Sequence, residues 1–238
     1  MTLDKLPEKI ADILYPKRCP VCHDIVREDK GRICAGCIKD LKYVLDPYCL
    51  KCGRPVKEDE EYCSDCKKAG HLFERGRAVY IYDDVIKNSI YYFKYKGRRE
   101  YAIFYGKEMA DQMKRFLLDI TPDALIPVPI HKRRYAKRGY NQAQLLAAEL
   151  SKHTGIPVLD NIIIRVSDTK AQKDLDASER QNNLKKAFKM LENDVSLNTV
   201  VIIDDIYTTG STIDAVAGCL QKKGVCRVYY VVLSIGSL

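Results

Sequence analysis

The 238-residue chain lacks any apolar run of the ~18 residues that a membrane-spanning helix needs. The best candidate, residues 228–235, is too short and predicts a buried strand instead. The amino terminus also lacks an apolar signal-peptide core and carries Asp4 and Glu8 among its first residues. We therefore expect a cytoplasmic protein without membrane insertion.

The charge of the chain is unevenly distributed. The formal net charge is +8. A composition of 46% hydrophobic and 30% charged residues is typical of a soluble globular protein, and the chain is long enough for one ordinary domain and a small one. Residues 71–160 hold 16 basic and 10 acidic side chains, so most of the excess lies in the middle third. Two basic clusters there form what we call the basic waist: Lys94, Lys96, Arg98, Arg99, Lys132, Arg133, Arg134, Lys137 and Arg138.

Eight of the ten cysteines form four Cys-x-x-Cys pairs, separated by 11, 11 and 10 residues. The pairs are Cys19 with Cys22, Cys34 with Cys37, Cys49 with Cys52 and Cys63 with Cys66. Without a signal peptide, this spacing favours two structural zinc ions, each held by four thiolates, over disulfides, iron–sulfur clusters or thiol redox chemistry. Spacing permits sequential or cross-braced pairing. The isolated Cys219 and Cys226 are expected to lie in the core.

The sequence pattern changes after Gly70, which suggests a first domain at 1–70 and a second at 71–238. Apolar patterns predict strands at 78–82, 124–130, 161–166, 199–203 and 225–234. They predict helices at 3–14, 84–94, 100–118, 141–152, 177–186 and 211–223. The alternation of strands and helices predicts an α/β fold with a mostly parallel sheet covered on both faces.

The most informative motif spans residues 200–212, VVIIDDIYTTGST. Four apolar residues predict a buried strand, and Asp204 and Asp205 follow where ligands bind in open α/β sheets. The turn and helix start that follow can bind a phosphate through backbone N–H groups and hydroxyls, with Gly210 allowing close approach. The two carboxylates, which we expect to face solvent, suit ribose hydroxyls and a magnesium ion.

This string resembles the phosphoribosyl diphosphate-binding motif of type I phosphoribosyltransferases, and the whole chain resembles the ComF family of competence proteins. Residues 95–97, 127–129 and 138–143 are similar to further family motifs. So is a spaced set: Arg165, Thr169, Gln172, Leu175, Arg180, Asn183, Ala187 and Phe188. The resemblance implies a double zinc ribbon with sequential pairing, magnesium with the ligand, a role in DNA uptake during natural transformation, and a competence helicase as a candidate partner.

The resemblance also assigns site residues in this chain. Asp204 and Asp205 are expected to be catalytic in an active enzyme. The expected ligand-binding residues are Tyr207, Thr208, Thr209, Gly210, Ser211, Thr212, Pro129, Arg138 and Arg180. Residues 167–176 resemble the flexible loop that closes over the diphosphate. Thr208 stands where purine-salvage relatives have a carboxylate, and a threonine cannot act as a general base near neutral pH.

Three functions remain open from the sequence. The first is a catalytic phosphoribosyltransferase with an unknown acceptor and no link to DNA. The second is a DNA-uptake factor that binds single-stranded DNA along the basic waist, where aromatic residues alternate with cations. These aromatic residues are Tyr91, Tyr92, Phe93 and Tyr95, of which Tyr92 or Phe93 is expected to pack in the core. The third is a structural zinc-ribbon adaptor.

Overall fold

A computed structural model describes residues 16–26, 31–167, 186–191 and 196–236. The strands are β1 (Gly76–Ile81), β2 (Ala124–Pro127), β3 (Ile163–Arg165), β4 (Phe188–Met190), β5 (Thr199–Tyr207) and β6 (Arg227–Ile235). The α-helices are α1 (Ser64–Lys68), α2 (Asp84–Tyr95), α3 (Tyr101–Ile120), α4 (Lys132–Arg138), α5 (Gln142–Thr154) and α6 (Ser211–Gln221), and a short 3-10 helix spans Cys37–Asp40.

Four strands form one parallel sheet in the order β1-β6-β5-β2. The register places Pro127 of β2 opposite Ile203 of β5, and Asp204 opposite Val232 of β6. Strands β3 and β4 pair separately and antiparallel. The predicted α/β class with a parallel sheet is thereby confirmed, and β5 extends four residues beyond its predicted end, so that Asp204 and Asp205 belong to the strand.

Successive strand residues point to opposite sides of the sheet, and both sides are covered by other parts of the chain. On β5, Val201 and Ile203 pack in the apolar cluster that includes α2, α3 and α5. Val200 and Ile202 pack on the other side, against α6 and against three buried cysteines: Cys49, Cys52 and Cys63. On this second face a cysteine-rich module therefore covers part of the sheet that α6 does not.

The cysteine-rich segment is also joined to the sheet edge by backbone hydrogen bonds. The Val44 N–H donates to the Val79 carbonyl at 2.9 Å, and the Ile81 N–H donates to the Lys42 carbonyl at 2.8 Å. These bonds add residues 42–44 to the outer side of β1, which has no other strand beside it among the described residues. The amino-terminal segment thus protects a strand edge that would otherwise be open to pairing with another chain.

Several predicted elements differ from the structure. Helix α4 was not predicted, because its seven residues are mostly basic and show no apolar period; His131 caps its start, and Gly139 ends it with a φ of 79°. Strand β4 was also missed. The helix predicted at 3–14 lies outside the described residues, as does all but the last residue of that predicted at 177–186. The prediction that Cys226 lies in the core is wrong, since its side chain is exposed ahead of β6.

Among the described residues, no helix combines the length and the apolar character that crossing a membrane requires.

Candidate ligand site and metal centres

The loop that links β5 to α6 is a short turn with exposed hydroxyl groups, and we call it the ligand loop. Thr208 and Thr209 are exposed, and the hydroxyls of Thr209 and Ser211 lie 2.9 Å apart. Gly210 precedes the first residue of α6 with a φ of 81°, in the left-handed region that glycine adopts at little cost. The first N–H groups of α6 have no acceptor within the helix and point toward this loop, where an anion can accept from them.

The two acidic residues are more enclosed than expected. Asp205 is only 8% exposed, and its Oδ1 lies 2.8 Å from the Lys94 Nζ. The Asp204 Oδ1 accepts the N–H of Asp205 at 2.8 Å. Burial of the carboxyl, together with the charge of Asp205, raises the pKa of Asp204 to about 7, against the partly compensating charge of Lys94. The expectation that both carboxylates face solvent is therefore wrong for Asp205, whereas Asp204 stays partly exposed.

Lys94 belongs to this site and not to an exposed cationic surface. Its side chain is 18% exposed, and its ammonium group is committed to Asp205. The sequence placed Lys94 in the basic waist because it lies in one of the two basic clusters of the middle third. Since Lys94 faces inward to the end of β5, the number of waist cations that can meet solvent is smaller than the sequence suggested.

The other predicted ligand-binding residues differ in their positions relative to the loop. Pro129 follows β2 directly beside β5, where the Val128 N–H donates to the Ile203 carbonyl at 2.9 Å. The Tyr207 side chain is buried and stacks on Tyr230 with ring centroids 4.9 Å apart, so it supports the loop from the core. Arg180 lies outside the described residues.

Arg138, the last residue of α4, contacts an exposed tyrosine of α2. Its guanidinium donates to the Tyr95 hydroxyl at 3.0 Å, lies 4.8 Å from the centre of the Tyr95 ring and donates to Gln142 at 3.0 Å. A cavity of about 460 Å³ opens here between α2 and the end of α4. It is lined by Tyr91, Lys94, Tyr95, Gly97, Lys137 and Arg138.

The aromatic residues of α2 divide into two groups. Phe93 is fully buried, and the half-buried Tyr92 stacks on His23 with ring centroids 3.6 Å apart. Tyr91 and Tyr95 are 47% and 51% exposed, and their ring centroids are 5.3 Å apart. The expectation that Tyr92 or Phe93 packs against the core is met by Phe93. The rings of Tyr91 and Tyr95 remain accessible beside the cavity.

The eight paired cysteines form two separate clusters. Cys19, Cys22, Cys34 and Cys37 form the first cluster, and Cys49, Cys52, Cys63 and Cys66 form the second; within each, all four sulfurs lie within 4.8 Å of one another. This is the sequential pairing. The cross-braced alternative is excluded.

The sulfur spacing fits zinc. Four sulfurs at about 2.3 Å from one tetrahedral ion lie about 3.8 Å from each other. The Sγ atoms of Cys22 and Cys34 are 3.8 Å apart, and those of Cys52 and Cys63 are 3.7 Å apart. A disulfide would need about 2.05 Å. Both clusters therefore suit structural zinc.

Arg54 connects the second cluster to the ligand loop, and nothing in its sequence context signals this role. It lies two residues after Cys52, is 5% exposed, and donates to Asp65 at 2.6 Å and to the Thr208 carbonyl at 2.8 Å. Burial alone would lower the pKa of Arg54, but Asp65 and the charges of the neighbouring cysteines outweigh it and raise that pKa.

The first turn of α6 is held by a residue that sequence reasoning did not consider. The His71 Nδ1 lies 2.8 Å from the Asp214 Oδ2, and the Leu72 N–H donates to the Asp214 Oδ1 at 2.8 Å. The segment between the cysteines and β1 therefore braces the helix whose N-terminus forms the loop.

Comparison with known proteins agrees with these features. A family model described as "Double zinc ribbon domain" matches residues 10–67, and one described as "Phosphoribosyl transferase domain" matches residues 108–234. The molecule is thus a phosphoribosyltransferase-fold protein that carries an amino-terminal double zinc ribbon.

Curated relatives match this chain over most of their length. "Competence protein F" of Haemophilus influenzae is 34% identical, across 87% of this chain and 92% of the relative. "Competence protein ComFC" of Bacillus subtilis is 29% identical across 81% and 79%, and "DNA utilization protein YhgH" of Escherichia coli K12 is 29% identical across 91% and 96%. The chain belongs to the ComF family of competence proteins.

Proposed function

We propose that this protein binds a 5-phosphoribosyl diphosphate-type ligand at the loop between β5 and α6 and acts on incoming DNA during natural transformation. The observation that carries the first part is an acidic pair, the partly exposed Asp204 and the buried Asp205, at the carboxyl end of a central parallel strand. Gly210 and the first turn of α6 follow within a few residues. Carboxylates suit the two ribose hydroxyls, and the helix N-terminus suits the 5-phosphate.

The diphosphate would lie on the side of the loop where β2 ends. Pro129 follows Val128, whose N–H donates to the carbonyl of Ile203 just before Asp204, and Arg138 can meet a multiply charged anion. Magnesium is the ion we propose to accompany the ligand, because carboxylate and phosphate oxygens are its preferred partners. Asp204 and Asp205 would hold it together with the diphosphate, and Lys94 would then release Asp205 or share it.

Binding can be tested by titration calorimetry with phosphoribosyl diphosphate and magnesium. Replacing both Asp204 and Asp205 by Asn should abolish binding. The fold should survive, because asparagine keeps the volume and several hydrogen bonds of aspartate. Unchanged affinity in a folded double variant would refute this assignment of the site.

A catalytic phosphoribosyltransferase is the alternative. Transfer would break the bond between the anomeric carbon and the diphosphate and form one to an acceptor that would have to be activated nearby. Thr208 is exposed at the place where a carboxylate base would be needed, and a hydroxyl is a poor base at neutral pH. Release of diphosphate on mixing the protein with phosphoribosyl diphosphate and candidate acceptors would favour the enzyme over the binding protein.

Two features support a DNA role. Relatives that match nearly the whole chain are named for competence and DNA utilization. The exposed Tyr91 and Tyr95 lie beside cations: the Lys96 ammonium is 5.8 Å from the centre of the Tyr91 ring. Exposed rings next to cations suit stacking of bases with phosphate contacts on either side. A helicase that handles the same strand is a candidate partner.

The DNA path can be separated from nonspecific attraction by a matched charge reduction. Replacing Lys96, Arg99 and Lys137 by Ala should weaken single-strand binding and flatten its dependence on salt, by about 0.7 in log–log slope for each phosphate that is no longer neutralised. The control replaces three exposed lysines elsewhere, Lys189, Lys222 and Lys223. Equal weakening by both sets would show that no dedicated path runs along the waist.

Stacking gives a second test. Tyr91→Ala should cost about 1–3 kcal/mol of binding energy without changing the salt slope. Tyr91 is the better choice because Tyr95 also holds Arg138.

A further inference from the structure

A buried arginine beside the second cysteine cluster contacts the ligand loop. Arg54 bridges the two: one guanidinium nitrogen donates to Asp65 at 2.6 Å and the other to the Thr208 carbonyl at 2.8 Å. Because Arg54 is 5% exposed, water does not easily replace these bonds when they break. The position of Thr208, the first residue after β5, thus depends on where the Arg54 side chain is held.

The cysteine ligands determine where Arg54 lies. The Cys49 N–H donates to the Arg54 carbonyl at 2.7 Å, and the Gly53 N–H donates to the Cys49 carbonyl at 2.8 Å. Asp65, the partner of the guanidinium, lies on α1 between the ligands Cys63 and Cys66. Cys49, which binds the Arg54 backbone, and Asp65, which binds its side chain, therefore belong to two segments that one metal ion would hold together.

A second connection runs through the core beneath the loop. The Tyr230 hydroxyl donates to the Cys52 carbonyl at 2.7 Å, and the Tyr230 ring stacks on Tyr207, the last residue of β5. The first cluster makes contacts of another kind: His23 of its knuckle stacks on Tyr92 and pairs with the Tyr101 hydroxyl at 2.9 Å, on α2 and α3.

We propose that the second cysteine cluster and Arg54 act as a positioning element for the ligand loop, so that the metal content of this cluster controls affinity for the phosphoribosyl ligand. The affinity part rests on the proposed function; the ordering of the loop does not. Zinc would fix the Cys49–Cys52 knuckle and α1 relative to each other, and Arg54 would transmit that arrangement to Thr208. Removal of the metal would leave four thiols, three of them buried, without a common partner and would free the knuckle to shift.

The test compares the full-length variant Arg54→Met with wild type by hydrogen exchange of the peptide covering residues 206–214, zinc content and ligand calorimetry. Loss of a charge-assisted bond to a backbone carbonyl should speed exchange and weaken binding by about tenfold to hundredfold, with both zinc ions retained. Arg18→Met is the matched control, because Arg18 donates to the His23 carbonyl at 3.0 Å beside the first cluster. It should change neither measurement.

The clusters themselves provide the second comparison. Cys66→Ser removes a half-buried ligand of the second cluster, and Cys22→Ser removes an exposed ligand of the first. Each should lose one zinc ion, but only Cys66→Ser should speed exchange in the loop. If Arg54→Met does not fold, Arg54→Lys replaces it; it keeps the charge but cannot span both acceptors, so it should show a smaller change in the same direction.

The outcomes separate the two proposals. If wild type does not bind phosphoribosyl diphosphate, the proposed function fails, and loop exchange still decides the positioning role. Exchange in residues 206–214 that is unchanged in Arg54→Met or its Lys replacement, or that rises equally in the Cys22 and Cys66 variants, would overturn the positioning role.

Discussion

The loop glycine offers a sharp test of how the site is built. A Cβ added at Gly210 would lie 2.5 Å from the Tyr207 hydroxyl oxygen and 2.9 Å from the His71 Cε1. Neither neighbour can move freely, since Tyr207 stacks on Tyr230 and His71 is paired with Asp214. The φ of 81° adds backbone strain for any residue with a Cβ.

The expected magnitude of Gly210→Ala has two parts. Left-handed strain costs about 1–2 kcal/mol. Crowding against Tyr207 and His71 adds about 1–3 kcal/mol, as is usual when atoms are forced into a packed site. Gly155 has nearly the same φ, 75°, but an added Cβ there would meet nothing within 4 Å. Gly155→Ala should therefore show the strain without the crowding.

Thermal unfolding of both variants measures the difference. At about 2–4 °C per kcal/mol for a chain of this size, Gly210→Ala should melt several degrees below Gly155→Ala. Calorimetry should show weakened ligand binding only for Gly210→Ala, because the shifted loop no longer presents its N–H groups together. Equal melting temperatures and equal affinities would refute the view that Tyr207 and His71 fix the loop from below.

Four further predictions concern zinc, the pH dependence of binding and of stability, and helix packing. The purified protein should contain close to two zinc ions per chain, and Cys49→Ser should lose one and melt at a lower temperature; elemental analysis that finds iron instead would contradict this. Because the raised pKa of Asp204 is about 7, magnesium-dependent ligand affinity should increase between about pH 6 and 8 as Asp204 ionises, and Asp204→Asn should remove that increase. The same shift means that ionising Asp204 destabilises the fold, so Asp204→Asn should gain stability over wild type as pH rises from about 4 to 7, and a constant difference in urea titrations would contradict the shift. Gly106→Ala should destabilise the contact of α3 with α5 by about 1–3 kcal/mol, since the added Cβ would lie 2.2 Å from the Glu149 Cβ, and an unchanged unfolding midpoint would exclude this crowding.

Local patterns made much of the architecture predictable. The strand at 199–203, the helices on both sides of Gly97 and the metal-binding knuckles follow from apolar periodicity and from Cys-x-x-Cys spacing, which act within a few residues. Asp204, Asp205 and Gly210 could be singled out because a buried strand, paired acids and a glycine turn stand together in one short segment. Helix α4 escaped prediction because its stability does not come from an apolar face of its own.

The fold class, the eight candidate zinc ligands and the residues of the loop can be inferred from the amino-acid sequence. Three relations are visible only once the chain is folded: which cysteines share a cluster, that Lys94 pairs with Asp205 across 111 residues of chain, and that Arg54 reaches Thr208 across 154. The structure also shows that the side chain of Tyr207, which the sequence resemblance assigned to the ligand-binding residues, lies in the core. These relations depend on which surfaces meet when the chain folds. Side chains that are distant in the sequence but pack together in the fold leave no periodic or spacing pattern from which the contact could be predicted.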